Sequence, residues 1–424
     1  MPRIGDDLLD AVAAFAGAAS AGIALFLPFT FGARSEVHSA FHVTSLLNSV
    51  PRAAALGLIV AVVVAVLARP INRPGLIWLT AALAAAALAL NYFIGTAMHS
   101  ADVLTTQNYL DSLCGGVLFG SLGIVALRRR WSAVGFSLGT VVVLVYGEVV
   151  GVFSSTDSSF EASYSPAWLV GTAVVLLALN ALRRRHGVML PAVPRLAADL
   201  PITPIIAATV LSLSVLLATE WLAREWDGRR GNTWQIVVAV AVTVVAAFIA
   251  AVLLPGRDGV WPLLAIGVAA AGDSLGDAAR LGWYLPLVVV LGTGAVLAGL
   301  RGSAPWVVLL GAAALCVFAT VAPRLPWSLA WPIGALALAC LAGYFAGSVR
   351  FEYLPSAVLG LGALYLPSIL WSIPTRHRDW PTAGTPAAES LPGRAGLAIT
   401  IGVALALALL FRIRPRQRSE ALEQ

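Results

Sequence analysis

The chain has 424 residues, of which 59% are hydrophobic and 11% charged, and its mean hydropathy is +0.88. Soluble domains carry about 25% charged residues, so this composition excludes a soluble enzyme and implies a polytopic membrane protein. The net charge of +6 comes from 27 arginines and no lysine, placed beside apolar runs where lipid headgroups would meet them; it is not a nucleic-acid footprint.

A helix needs about 20 apolar residues to cross the hydrocarbon. About 14 stretches qualify, roughly 8–31, 53–68, 75–98, 109–127, 131–153, 166–182, 203–222, 234–254, 260–279, 281–300, 304–322, 326–348, 354–373 and 395–411. The second is short and the ninth is the weakest of the set. The first opens with "MPRIGDDLLD", whose Asp6 and Asp7 and long apolar run to Phe31 do not suit a cleaved leader. It reads as a retained helix. The loop that follows, 32–52, holds Glu36, His38 and His42. Two histidines at i,i+4 with one acid fall short of a metal ligand set, so neither a metal nor a cofactor is expected. Cys114, Cys316 and Cys340 all lie in apolar runs without a Cys-x-x-Cys spacing, which indicates neither a disulfide framework nor a thiolate site.

Most of the tryptophans lie near span ends, Trp131, Trp168, Trp221, Trp234, Trp261, Trp283, Trp306 and Trp327 among them, as an aromatic belt would place them. With the N-terminus inside, arginine divides 10 inside to 2 outside over the first six spans and the linker, and 7 to 8 over the rest. Both termini are then cytoplasmic in an inner membrane. The reading is all-α: a six-helix bundle over 1–182, a basic linker over 183–202, a second six-helix bundle over 203–348, and a C-terminal helix pair with an arginine-rich tail over 349–424. A faint internal echo links 119–139 with 290–311, each reading as helix, short arginine turn, helix.

The turns "ARPINRPG" (68–75) and "LPGRDGVW" (254–261) carry Arg73 and Gly75, and Gly256, Arg257, Asp258 and Gly259. With the six-helix layout and the basic central linker, they resemble the major facilitator superfamily and its Gly-x-x-x-Asp-Arg-x-Gly-Arg-Arg turn. The first turn lacks the signature Asp, and the span count exceeds the family's usual twelve. The resemblance implies a carrier working by alternating access between two bundles. A fourteen-helix lipid-flippase layout fits the same count.

"GDSLGDAAR" (272–280) spells the block of an esterase family, and "GFSLG" (135–139) spells a nucleophile elbow. Neither lies in a strand–turn–helix context, which that chemistry needs. The first instead offers Asp273, Asp277 and Arg280 at helical spacing near an outer helix end. Asn91, Asp111, Glu148 and Glu220 fall at similar depth, and ionisable groups within a span are functional candidates by default. Together these seven residues form a candidate outer vestibule. The leading function is therefore a transporter or flippase-like carrier of a small or lipid-linked substrate, with the bilayer as its partner. A non-catalytic component of an envelope-assembly complex is the second reading. The third is a polyprenyl-phosphate-sugar glycosyltransferase, whose family resemblance would assign Glu36 the acidic role in the first external loop.

Overall fold

The computed structural model describes residues 4–26, 40–71, 73–96, 101–150, 167–184, 202–227, 232–275, 284–301, 304–324, 330–349, 353–366, 368–373 and 390–415. These residues form α-helices and short 3-10 turns, with no strand among them. The helices are α1 (Ile4–Phe26), α2 (Ala40–Ala68), α3 (Pro74–Thr96), α4 (Ala101–Ala126), α5 (Arg130–Val150), α6 (Ala167–Arg183) and α7 (Thr203–Asp227). They continue with α8 (Thr233–Leu253), α9 (Val260–Leu275), α10 (Tyr284–Arg301), α11 (Pro305–Val321), α12 (Ala330–Ser348), α13 (Leu354–Gly362) and α14 (Leu391–Ile413). Each corresponds to one expected span, and the fold is all-α.

Seven of them, α1–α4, α7, α8 and α14, are long and apolar enough to cross a membrane. Their outward faces carry large apolar side chains, such as Leu67, Leu83, Leu217 and Leu405, which would be costly in water and are at home in lipid. Trp131, Trp168, Trp234 and Trp306 are exposed at helix starts, as a belt requires. Trp261 is not part of that belt: it is buried and packs edge-on against Phe345. The chain is a multi-pass membrane protein.

Four boundaries differ from the sequence reading. Helix α2 starts at Ala40 and runs for 29 residues, so part of the expected first external loop is helical; Pro51 is accommodated inside it. Helix α4 starts at Ala101, not near 109, because "ADVLTTQN" is polar but helix-compatible. Helix α9 has only 16 residues, all buried except Asp273, which makes it a core helix. Helix α13 stops at Gly362, after nine residues, and gives way to 3-10 turns at Ala363–Tyr365 and Ile369–Ser372. Leu366 is extended, as expected of a residue followed by proline.

Small residues set the closest contacts. Helices α2 and α4 run parallel in one register: Ser49 meets Asn108 and Arg69 meets Arg128, both 59 residues apart, and between them Gly57 faces Gly116 and Ala61 faces Gly120. Helix α1 packs on α5 the same way, with Ala11 on Gly135 and Phe15 on Gly139. So does α10 on α12, with Leu291 on Gly343 and Ala295 on Gly347. Without a hydrophobic drive between helices in lipid, close backbone approach of this kind supplies the packing energy.

Ion pairs fasten the N-terminal face. Asp6 pairs with Arg183, Asp10 with Arg184, and Arg129 lies 3.5 Å from Asp7 and 3.8 Å from Asp10. The acidic start of α1, read from the sequence only as an argument against a leader, thus ties α1 to α5 and α6. In the other half, Arg414 at the end of α14 donates to the carbonyls of Val252 in the last turn of α8 and of Leu254 and Gly256 just beyond it.

Candidate functional site

The segment from Tyr353 to Ile373 is the centre of the molecule. Helix α13 packs against α2 and α4 on one side and α9 on the other, so it joins helices from the two ends of the chain. Two carboxylates of the α9 region hold it. Tyr353 N–H donates to Asp258 Oδ2 at 2.9 Å, and Ser368 N–H donates to Asp273 Oδ2 at 3.1 Å. Both pairs are 95 residues apart, so α9 and this segment lie side by side and run in the same direction. Asp258 is buried and sits at the α13 N-terminus, where orphan N–H groups and the helix dipole favour a negative charge.

The break in the helix is packed on both sides. Tyr365 is buried, donates to the Thr140 carbonyl of α5 at 3.0 Å and meets the Phe119 ring of α4 edge-on at 5.6 Å. Its phenol fills the space that a side chain at Gly22 of α1 would need. Ser372 donates to the Thr219 carbonyl of α7 at 2.8 Å. A small cavity lies against the break, lined by Thr243, Ile266, Leu366, Ser368 and Ile399 among others. At the N-terminal face the Arg69 guanidinium stands 4.4 Å over the Tyr353 ring. Arg128 donates to the Arg69 carbonyl at 3.0 Å. Arg69, Tyr353 and Asp258 therefore form one chain of contacts across the two halves.

A second polar cluster joins α2, α3 and α4. Asn91 Nδ2 donates to Asp111 Oδ1 at 2.7 Å and to the Gln107 carbonyl at 3.2 Å. Asn108 donates to Ser49 Oγ at 2.8 Å. Asp111 is fully buried; because α4 begins at Ala101, it lies about 15 Å along the helix rather than at its end. Nearby, Arg52 of α2 embraces Glu220 of α7 with Nε and Nη2, the latter at 3.0 Å, and Arg224 adds a contact at 3.4 Å. Arg52→Lys is expected to lose about 1 kcal/mol of coupling with Glu220 in a double-mutant cycle read by thermal unfolding, because a point charge cannot reproduce the two-pronged contact. An unchanged coupling energy would show the pair to be loosely held.

Of the seven expected vestibule residues, Asn91, Asp111, Glu220 and Asp273 have described side chains. Asp111 and Asn91 bond to each other, Glu220 is engaged by Arg52, and Asp273 caps Ser368. Glu148 lies in α5, near its end. Asp277 and Arg280 lie outside the described residues, as do Glu36, His38 and most of the linker 183–202; His42 lies within α2. The sequence reading names Asp258 only as part of the turn 254–261, and it misses Arg52, Gln107 and Tyr365. Only Gln107 carried a legible signal, four residues before Asp111 on one helical face.

No protein-family profile matches the chain. No curated protein matches it. Among solved structures, an in meso crystal structure of PepTSo, a POT family transporter, aligns over 98% of this chain and 100% of its own, at 12% identity and a TM-score of 0.42.

Proposed function

We propose that the protein is a carrier that moves a small or lipid-linked substrate across a bacterial inner membrane by alternating access, with both termini cytoplasmic. The observation that carries this reading is a repeated pairing scheme. In α1–α6, helix α1 packs on α5, α2 on α4, and α3 on α6; eight helices on, α10 packs on α12 and α11 on α14, while α9 runs beside the 353–373 segment but packs more extensively on α14 and α11. We therefore take α1–α6 and α9–α14 as two repeats, and α7–α8 as an additional pair between them. Two like bundles meeting at a discontinuous helix suit rocking about a central site, since a broken helix supplies both a joint and unpaired backbone groups. Asp273, with Asp277 and Arg280 just beyond it, Glu148 and Glu220 are the polar groups we assign to the outer mouth. The arginine-rich turns support the assignment of the N-terminal face to the cytoplasm.

The test uses spin labels in a background with Cys114, Cys316 and Cys340 replaced by serine. One pair, at Arg73 and Arg412, reports the N-terminal face; another, at Phe93 and Val321, reports the opposite face. In liposomes the expected result is two distance populations at each face, shifting in opposite senses when a pH gradient is imposed. Single, unchanging distances at both faces would sink the carrier reading and favour a non-catalytic membrane component.

A further inference from the structure

Asp111 is fully buried, and its Oδ2 has no hydrogen-bond partner. Gln107, one helical turn earlier, is also buried at 3% exposure, and neither its Oε1 nor its Nε2 has a partner. Three orphan polar atoms thus lie on one face of α4, inside the apolar span Thr106–Ala126. Buried polar atoms in a low-dielectric interior are almost always paired, so three orphans on one helix face call for a partner.

We propose that Asp111, Gln107 and Asn91 form a proton-binding site. Residues four apart on a helix are neighbours, so the Gln107 amide can reach Oδ2 with either of its ends. When a proton arrives from water at Oδ2, the new O–H donates to Gln107 Oε1. When the proton leaves, the amide turns over and Nε2–H donates to the carboxylate. Asn91 Nδ2 donates to Oδ1 in both states, at the 2.7 Å seen here. A rotatable amide that satisfies both forms is what allows a buried carboxyl to load and unload; an apolar neighbour would satisfy neither.

No cation competes for the site among the described residues. Helix α4 packs on α1, α2, α3, α5 and α13. Asp6, Asp7 and Asp10 of α1, and Arg130 of α5, belong to the N-terminal face, as does Tyr353 of α13. Arg52 of α2 is engaged by Glu220. The other titratable groups on these elements are His42 of α2, Tyr92 of α3, Asp102, Tyr109 and Cys114 of α4 itself, Tyr146 and Glu148 of α5, and Tyr365 in the turn after α13. The proposal does not depend on the carrier reading, because protonation is measured directly.

The experiment is infrared difference spectroscopy of the full chain in nanodiscs, between alkaline and acid buffer, in H2O and D2O. The expected result is a protonated carboxyl C=O band on acidification that disappears in Asp111→Asn and moves to the frequency of a carboxyl lacking a hydrogen-bond partner in Gln107→Leu. Gln107→Leu should also narrow the range to one stable state, with the acidification amplitude reduced at least several-fold. A folded Asp111→Asn whose spectrum matches the wild type overturns the proposal, as does a band that Gln107→Leu leaves unmoved. Should Asp111→Asn fail to fold, Gln107→Leu and Asn91→Leu carry the same decision. A spectral change driven by sodium at constant pH and removed by Asp111→Asn would reassign the site to a metal cation and overturn the proton reading.

Discussion

Gly120→Ala is expected to destabilise the protein by about 1–3 kcal/mol, the cost of forcing atoms into a filled interior. A Cβ at Gly120 would run into the backbone carbonyl of Ala61, and behind that the Ala61 main chain itself. Backbone cannot swing aside as a side-chain end can. Helix α2 cannot retreat alone either, since its register with α4 is fixed by Asn108 on Ser49 above and Arg128 on the Arg69 carbonyl below. Gly299→Ala of α10 is the control: a Cβ there meets nothing within 4 Å. That substitution should be neutral or stabilise by roughly 0.5–1 kcal/mol, because alanine loses less backbone freedom in a helix. Thermal unfolding in one detergent, with both variants side by side, reads the difference. Equal midpoints would mean that the α2–α4 seam yields, and with it the argument that small residues fix the bundle.

Hydropathy located every helix because lipid imposes one requirement on all of them, a long apolar run with internally satisfied backbone. It failed where other physics decides. Helix α4 gains its first two turns from polar residues that hydropathy discounts. Helix α9 reads as the weakest span of the set, yet it is almost wholly enclosed by protein, and Asp273 is used by a backbone N–H of another segment. That the chain would leave the α-helix after Gly362 and pack Tyr365 into a neighbouring bundle depends on the space above Gly22, which no local pattern encodes.

The candidate site was legible as residues, not as partners. Asp111 and Asn91 stood out as polar groups in apolar runs, but their bond joins positions 20 apart on two helices. Arg52 and Glu220 are 168 apart, and only the fold brings them together. The echo between 119–139 and 290–311 links α4–α5 with α10–α11, a shift of six helices, whereas the pairing scheme repeats after eight. Gly, Ala, Val and Leu recur in every such helix, so a sequence echo alone does not define a repeat.

Asp258→Ala is expected to release the N-terminal face, at a cost of about 1.5–3 kcal/mol for a buried hydrogen bond to a charged group. The carboxylate takes the Tyr353 N–H at 2.9 Å, and asparagine in its place would keep an acceptor, so alanine is the informative change. Arg69→Ala removes the cation 4.4 Å above the same tyrosine ring and should cost less, about 0.5–2 kcal/mol. Because both partners act on Tyr353, their effects should not add, and a double-mutant cycle should show coupling of about 0.5 kcal/mol or more. The same variants should lengthen the distance between spin labels at Arg73 and Arg412, on either side of this contact, while labels at Phe93 and Val321 draw together. Destabilisation without any change in those distances would make Asp258 a cap for α13 and nothing more. Destabilisation with opposed shifts at the two faces would show that one carboxylate and one arginine hold the halves closed on the side where the chain begins.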